Sequence, residues 1–407
     1  MEERFVYADN AATTALSDVA FEEMVPYLKE FYGNASSIHS LGQKAKQAVE
    51  KSRKGVAAAI NAFSSEIFFT SGGSESDNWA LYGSLLMNSV KGRHIIISSI
   101  EHSAVHRTAK FLETRGYEVT YLSVDGYGKV TPSQLADAIR SDTALVSIMM
   151  ANNEIGTIQP LKELCKVAHE RRVPFHTDAV QAVGHIPVNV RELDVDMLSL
   201  SAHKFRGPKG VGALYVKLGR ILPPLIIGGG QERGLRSGTE NVSGIVGMAA
   251  ALDEAVRNMD INTKKVTAMR DKIIEAALQI DGAILTGHPV DRLPGTASFL
   301  FRGLTNQAIV ASLNKVGICA SSGSACSSGS TELTRALDET LSISEERPHG
   351  DNQLGALRLS LNECNTNEDV DYIIHRLSMV IAELKTSKLS PFHFFPSDTK
   401  VLPDPDQ

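Results

Sequence analysis

The sequence predicts an α/β protein: a large unit on a mostly parallel seven-stranded sheet, followed by a smaller α+β unit. Three observations point there. Seven short β-rich runs alternate with longer amphipathic stretches between about residues 66 and 216, the pattern of successive βαβ units. The length, 407 residues, exceeds one ordinary core, since a domain takes roughly 100–200 residues. After about residue 260 the texture changes, and isolated strand patterns are separated by helical ones.

The seven runs are Glu66–Thr70, His94–Ser99, Glu118–Leu122, Ala144–Met150, Val173–Thr177, Met197–Ser201 and Gly212–Val216. Between them lie helical patterns such as Leu161–Arg171, with Leu161, Leu164, Val167 and Ala168 on one face. The stretch Leu222–Asn241 is rich in Gly, Pro and Arg and reads as a long functional loop. Helices are expected at Val242–Arg257 and Lys264–Leu278, then at Asn306–Lys315 and Asn367–Leu384, with strands near Ser298–Phe301 and Leu357–Leu361. The tail Ser390–Gln407 has little periodicity and reads as a poorly packed arm or a partner-binding segment.

Composition excludes several classes. Apolar residues make up 43% and charged residues 22%, ordinary for a globular chain and unlike a disordered one. No apolar run reaches the ~18 residues of a membrane-spanning helix, and the acidic start Met1-Glu2-Glu3-Arg4 does not resemble a secretory signal. A cytoplasmic protein is expected. The net charge of −6 argues against general nucleic-acid binding. Four cysteines, Cys165, Cys319, Cys326 and Cys364, in so long a chain read as free thiols rather than a disulfide framework.

In an open parallel sheet, ligands bind beyond the carboxyl ends of the strands. Thr70 is followed by Ser71-Gly72-Gly73-Ser74 and a helical pattern, either a capped tight turn or a cradle of N–H groups for an anion. Past Ser99 stands His102, a structural residue or a group for ring stacking and acid–base work. Past Met150 stand Asn152 and Asn153, which suit a turn or the orientation of a bound carboxylate. Asp178 is either a helix cap or a carboxylate facing a protonated cofactor nitrogen. Past Met197–Leu200 come Ser201, His203 and Lys204, and a lysine in a desolvated pocket becomes a nucleophile toward an aldehyde. Together these place anion donors, a His, an Asp and a Lys at one sheet edge. That combination specifies a site for pyridoxal 5'-phosphate (PLP), with the carboxylate keeping the pyridine nitrogen protonated.

The same residues resemble the fold-type I PLP enzymes of the class V aminotransferase branch, and among them the NifS/IscS-type cysteine desulfurases. The resemblance runs through Ala8–Thr14, Thr70–Asn78, Glu101-His102, Asn152–Gly156, Asp178–Gly184, Ser201–Gly212, Gly228–Thr239, Ser321–Cys326 and Leu357–Leu361. It implies that Lys204 carries the cofactor and that Asp178 and Gln181 serve its ring nitrogen and hydroxyl. His102 would stack on the ring, and Gly73, Ser74, Ser201 and His203 would hold the phosphate. Thr239 would reach the phosphate of the other subunit, implying a homodimer, and Asn153 and Arg358 would hold the substrate carboxylate. The domains would be 15–258 for the large PLP-binding unit, 1–14 with 259–389 for the small one, and 390–407 for the tail.

Cys326 decides the reaction type. Its Gly/Ser surroundings read as a flexible linker or as a mobile loop that lets a thiol reach the cofactor and then a partner. A structural zinc site is disfavoured, because six residues separate Cys319 from Cys326, and no metal is expected. The resemblance makes Cys326 the persulfide carrier in the conversion of L-cysteine to L-alanine. Lys204 would move the Cα proton, and His102 would manage the substrate thiol proton. The sulfur acceptor would be an iron–sulfur scaffold or a tRNA-thiolation protein. An aminotransferase or β-eliminating lyase is the alternative within the fold; outside it stand a sulfur-delivery module without catalysis and a metal-binding protein. Two departures from the family pattern, the polar stretch 342–353 and Asn362-Glu363-Cys364 after the last strand, bear on the partner more than on the chemistry.

Overall fold

The computed structural model describes residues 4–87, 92–323, 333–343 and 353–386. Its strands are β1 (Val6–Tyr7), β2 (Ile67–Thr70), β3 (His94–Ser98), β4 (Glu118–Leu122), β5 (Thr143–Ser147) and β6 (Phe175–Asp178), then β7 (Met197–Ser201), β8 (Gly212–Val216), β9 (Ala283–Leu285), β10 (Thr296–Arg302), β11 (Ile318–Cys319) and β12 (Leu354–Ser360). The seven expected strands form one sheet in the order β2-β8-β7-β6-β5-β3-β4. It is parallel from β7 to β4, while β8 runs antiparallel to both neighbours. The cause is connection length. β7 ends at residue 201 and β8 begins at 212, and a parallel crossover needs a dozen or more residues.

Both faces of this sheet are covered, as a parallel sheet requires. Alternate residues of a strand point to opposite faces, and the core follows that rule. Ile67, Phe69, Ile96, Ala213 and Tyr215 pack with the helices Ser40–Ala59, Leu161–Glu170 and Val242–Arg257. Phe68, Ile95, Ile97 and Leu214 pack on the other side with Gly73–Met87 and Ser103–Glu113. Cys165 is fully buried among Leu161, Leu164 and Ala168, and burial pushes its thiol pKa up.

A second sheet, β12-β10-β9, is antiparallel throughout. Its core joins Phe299, Phe301, Leu357 and Leu359 to Ile309, Ile373 and Leu377 of the helices Asn306–Lys315 and Asn367–Thr386. Val6 and Ala8 are buried in this same core, where β1 pairs with β11 in parallel. The N-terminal segment therefore packs with residues some three hundred positions away.

The expected elements recur with shifted ends. The run expected to reach Met150 stops its ladder at Ser147, although Ile148 N and Met150 N still donate to His176 O (3.1 Å) and Asp178 O (2.8 Å). β6 starts at Phe175 rather than Val173, because Pro174 between them has no N–H for a ladder. The helix expected from Lys264 begins at Met259. Most of the polar stretch 342–353 and the whole tail 390–407 lie outside the described residues.

Candidate active site

The turn expected to hold a phosphate begins where β2 hands over to the helix Gly73–Met87. The first N–H groups of a helix have no intrahelical acceptor and attract anions. Three glycines let the backbone close around that point. Gly72 sits at φ +150°, a conformation open to glycine. A Cβ on Gly73 would lie 2.6 Å from Val180 Cγ2, and one on Gly212 would lie 2.6 Å from Gly72 Cα. Buried Ser201 faces the same turn, its Oγ 3.6 Å from where a Gly72 Cβ would be. His203 Nδ1 bonds Thr13 Oγ1 at 3.1 Å. Burial and the neighbouring Lys204 push its pKa down to about 4, so the ring is neutral near pH 7.

Lys204 ends a short 3-10 turn that directly follows β7. Its Nζ donates to Ala11 O (2.6 Å) and Ala12 O (2.9 Å), and Gln181 Nε2 donates to the same Ala11 O at 3.0 Å. One turn of the N-terminal segment thus gathers both residues. Asp178 is the last residue of β6, buried, with Oδ1 accepting from Val180 N at 2.9 Å. Burial pushes its pKa up, opposed by His102, the Val180 amide and Lys204. His102 caps the helix Ser103–Glu113 through Nδ1, which accepts from Ala104 N at 3.2 Å. That bond leaves Nε2 as the ring nitrogen available for proton exchange. Ligand atoms of Asp77, His102 and Asp178 lie within 4.8 Å of one another.

The end expected to meet the substrate carboxylate has a different origin. Arg358, on β12, is buried; its Nη1 donates to Asn153 O at 2.8 Å and its Nη2 to Asp9 Oδ1 at 2.7 Å. The two adjacent amides divide the work. Asn152 Oδ1 accepts from Glu154 N (2.8 Å) and Ile155 N (3.0 Å) and so builds the turn, while Asn153 meets the arginine with its main-chain carbonyl. Cys326 lies outside the described residues, but the chain on both sides of it is tied to this site. Ser321 exchanges backbone bonds with Arg358. Thr334 Oγ1 donates to a Glu154 carboxylate oxygen, and Arg335 donates to Ser99 O (2.7 Å) and to Glu101 O.

Thr239 is exposed and lines a cleft with Thr70, Ser71, Glu232 and Arg236. The loop carrying it is pinned twice: Arg236 Nε to Glu75 Oε1 at 2.7 Å, and Arg53 to Glu232 through two bonds of 2.6 and 2.8 Å.

Sequence reasoning missed a layer of buried groups behind the site. Burial, and then the charge of Asp178, push the Asp77 pKa well above its usual range. Glu101 Oε1 accepts from Ser98 Oγ (2.6 Å) and Met149 N (2.8 Å), and burial pushes its pKa up to about 8. His176 is held between Ser147 Oγ (2.8 Å) and Ser199 Oγ (3.0 Å), and burial pushes its pKa down to about 3. The available signal was an acid or a His inside a strand or helix pattern that is otherwise apolar or small.

These residues fit PLP. The glycine cradle with Ser201 suits a phosphate, the buried Asp178 needs a cation beside it, and the Lys204 charge lies close enough to act on Asp178. A metal ion is the weaker occupant of the Asp77, His102 and Asp178 cluster, because the shift at Asp77 favours its protonated, non-ligating form.

The fold and this strand-edge site define an aminotransferase-like enzyme, and residues 6–373 match the class-V aminotransferase family. The cysteine desulfurase IscS of Methanosarcina thermophila is 47% identical over 391 residues, covering 96% of this chain and 95% of the relative. That of Dictyoglomus turgidum is 48% identical over 390 residues, covering 96% and 97%. A NifS-like protein of known structure superposes with a TM-score of 0.87 at 39% identity, over 94% of this chain and all of the other. The structure of SspA in complex with cysteine superposes at 0.76 with 34% identity, over 88% and 99%. The chain belongs to the class-V aminotransferase family and, within it, to the cysteine desulfurases. That family is PLP-dependent.

Proposed function

We propose that this chain, a cysteine desulfurase by family, holds PLP at the carboxyl edge of its seven-stranded sheet and passes the substrate's sulfur to Cys326. One observation carries the reading. Lys204, Asp178 and His102 meet at that edge, and Arg358, bonded to Asn153 O, pairs with Asp9 on the N-terminal segment that also holds Lys204. Gly73, Ser74, Ser201 and His203 hold the phosphate, Asp178 the ring nitrogen, Gln181 the ring oxygen, and His102 the ring face. When bound, PLP supplies an electron sink for the pair left at the substrate Cα.

Arg358 and Asn153 hold the α-carboxylate, a planar anion suited to a guanidinium. Lys204 moves the proton at Cα. His102 takes the proton of the substrate thiol. The Cys326 thiolate attacks the substrate sulfur. A sulfur–sulfur bond forms, the Cβ–S bond breaks, and its electron pair stays on carbon, which is protonated as alanine forms. The persulfide then leaves for an acceptor protein, an iron–sulfur scaffold or a tRNA-thiolation protein. The working unit is a homodimer in which Thr239 serves the partner's phosphate site. Its lobes are residues 15–258 and residues 1–14 with 259–389, and its place is the cytoplasm. Among the described residues no helix is long and apolar enough to cross a membrane.

Cys326→Ser tests the reading with product analysis. The wild type is expected to yield alanine and sulfide in equal amounts from L-cysteine with a thiol reductant. The variant is expected to keep the cofactor's absorbance and lose both products. Unchanged sulfide from the variant removes Cys326 as carrier, and pyruvate from the wild type replaces desulfuration with β-elimination.

A further inference from the structure

We propose that Asp9 is a positioning residue for substrate recognition, fixing the Arg358 guanidinium so that its remaining N–H edge receives the substrate α-carboxylate. The inference rests on the reading of Arg358 as the carboxylate receptor.

The Arg358 side chain is 2% exposed, and Asp9 is its ion-pair partner at 2.7 Å. A guanidinium has five N–H donors in a rigid plane. One on Nη2 goes to Asp9 Oδ1 and one on Nη1 to Asn153 O. Nε is buried with no hydrogen-bond partner among the described residues. The two bonds fix the plane at both terminal nitrogens. They leave Nε–H unused, and in the rigid guanidinium plane Nε–H lies beside an Nη2–H, an edge that matches the two oxygens of a carboxylate. Asp9 binds through one oxygen and so orients Arg358 while Nε keeps its donor.

Asp9 is itself held firmly. Ser360 N donates to Ala8 O (2.7 Å), and Asn10 N donates to Ser360 O (3.1 Å). Ala11 N donates to Ser360 Oγ at 2.9 Å, and Asn10 Nδ2 to Ser360 O at 2.9 Å. Ser360 lies two residues beyond Arg358 on β12, hence on the same face of the strand. The segment that bears Asp9 continues into Ala11 and Ala12, whose carbonyls take Lys204 Nζ. One short stretch of backbone therefore sets the spacing between the group that holds the carboxylate and the group that works at Cα.

The test uses the holoenzyme and titrates the cofactor absorbance with L-alanine and with ethylamine, which lacks the carboxylate. Asp9→Asn is expected to weaken L-alanine and raise KM for L-cysteine by about tenfold, the scale of one charge-assisted hydrogen bond. Ethylamine binding, the absorbance of the free holoenzyme and kcat are expected to stay within about threefold, well under that scale. Asp9→Glu, which keeps the charge and serves if the Asn variant does not fold, is expected to recover part of the L-alanine affinity. Equal loss for both ligands, no loss for either, or tighter L-alanine binding overturns the proposal; the last would make Asp9 a competitor for the arginine. Arg358→Gln separates the two levels. If it weakens L-alanine no more than ethylamine, the carboxylate reading of Arg358 falls; if it weakens L-alanine selectively and Asp9→Asn does not, only the role of Asp9 falls.

Discussion

Lys204, Asp178 and His102 all stand at or just beyond the carboxyl ends of strands in one sheet, whereas Arg358 comes from a second sheet and meets Asn153 and Asp9 from elsewhere in the chain. The lysine end is local. Each residue sits within a few positions of its strand, and the parallel sheet brings the ends together. The arginine end is assembled, since Asp9 and Arg358 are 349 positions apart. On the proposed roles, one sheet suffices to gather the groups for the cofactor, while the fit to a substrate depends on how a second core is seated against the first.

The sharpest way to break this division is at Lys204. Lys204→Ala is expected to abolish turnover and the cofactor absorbance that depends on the lysine link, while the far-ultraviolet circular dichroism is unchanged. A retained band with full turnover would remove the lysine assignment. A second test strikes the frame of the phosphate cradle rather than its chemistry. The Arg53 and Glu232 side chains are 6% and 4% exposed. Glu232 also accepts from Phe69 N at 2.8 Å and sits with Arg233 in the left-handed region, at φ 46° and 61°. Glu232→Ala strands a buried guanidinium, and chemical denaturation is expected to show a loss of about 3–5 kcal/mol. A loss below about 1 kcal/mol would mean that the pair behaves like an exposed one.

A further test concerns the layer of buried groups behind the site. The Glu101 pKa is raised to about 8, chiefly by burial. A carboxyl with a raised folded pKa holds its proton more tightly when folded. Its contribution to stability is full below the unfolded value and is lost as pH rises toward 8. Glu101→Gln mimics the protonated form. The melting temperature of the wild type relative to this variant is expected to fall between pH 5 and 8 and to level off above. A constant difference across that range would show that Glu101 is charged in the folded protein throughout.

Much of the lysine end was legible in the sequence. β-rich runs with helical patterns between them imply a parallel sheet, and the residues past each run then share one edge, whatever the strand order. Asn152 and Asn153 look alike in sequence, and only the folded turn separates the builder from the contact. β1, β9 and β11 are two or three residues long, too short to show a period. The helix Asp18–Lys29, capped by Ser17 Oγ accepting from Ala20 N at 3.1 Å, lies before the first expected strand, outside the βαβ pattern. Asp77, Glu101 and His176 stand in patterns that otherwise read as core, and their significance comes from mutual burial.

By itself, then, the sequence determined the seven-stranded α/β sheet, the edge where a ligand binds, and the residue types waiting there. Those features follow from hydrophobic periodicity and connection length, which act over a few to a few dozen residues. Only the tertiary structure decided that Asp9 would pair with Arg358, that Ala11 and Ala12 would hold Lys204, and that Glu232 would meet Arg53. Such contacts link positions 179 to 349 residues apart, and their partners are selected by the packing of two cores and by the cost of leaving a buried charge alone.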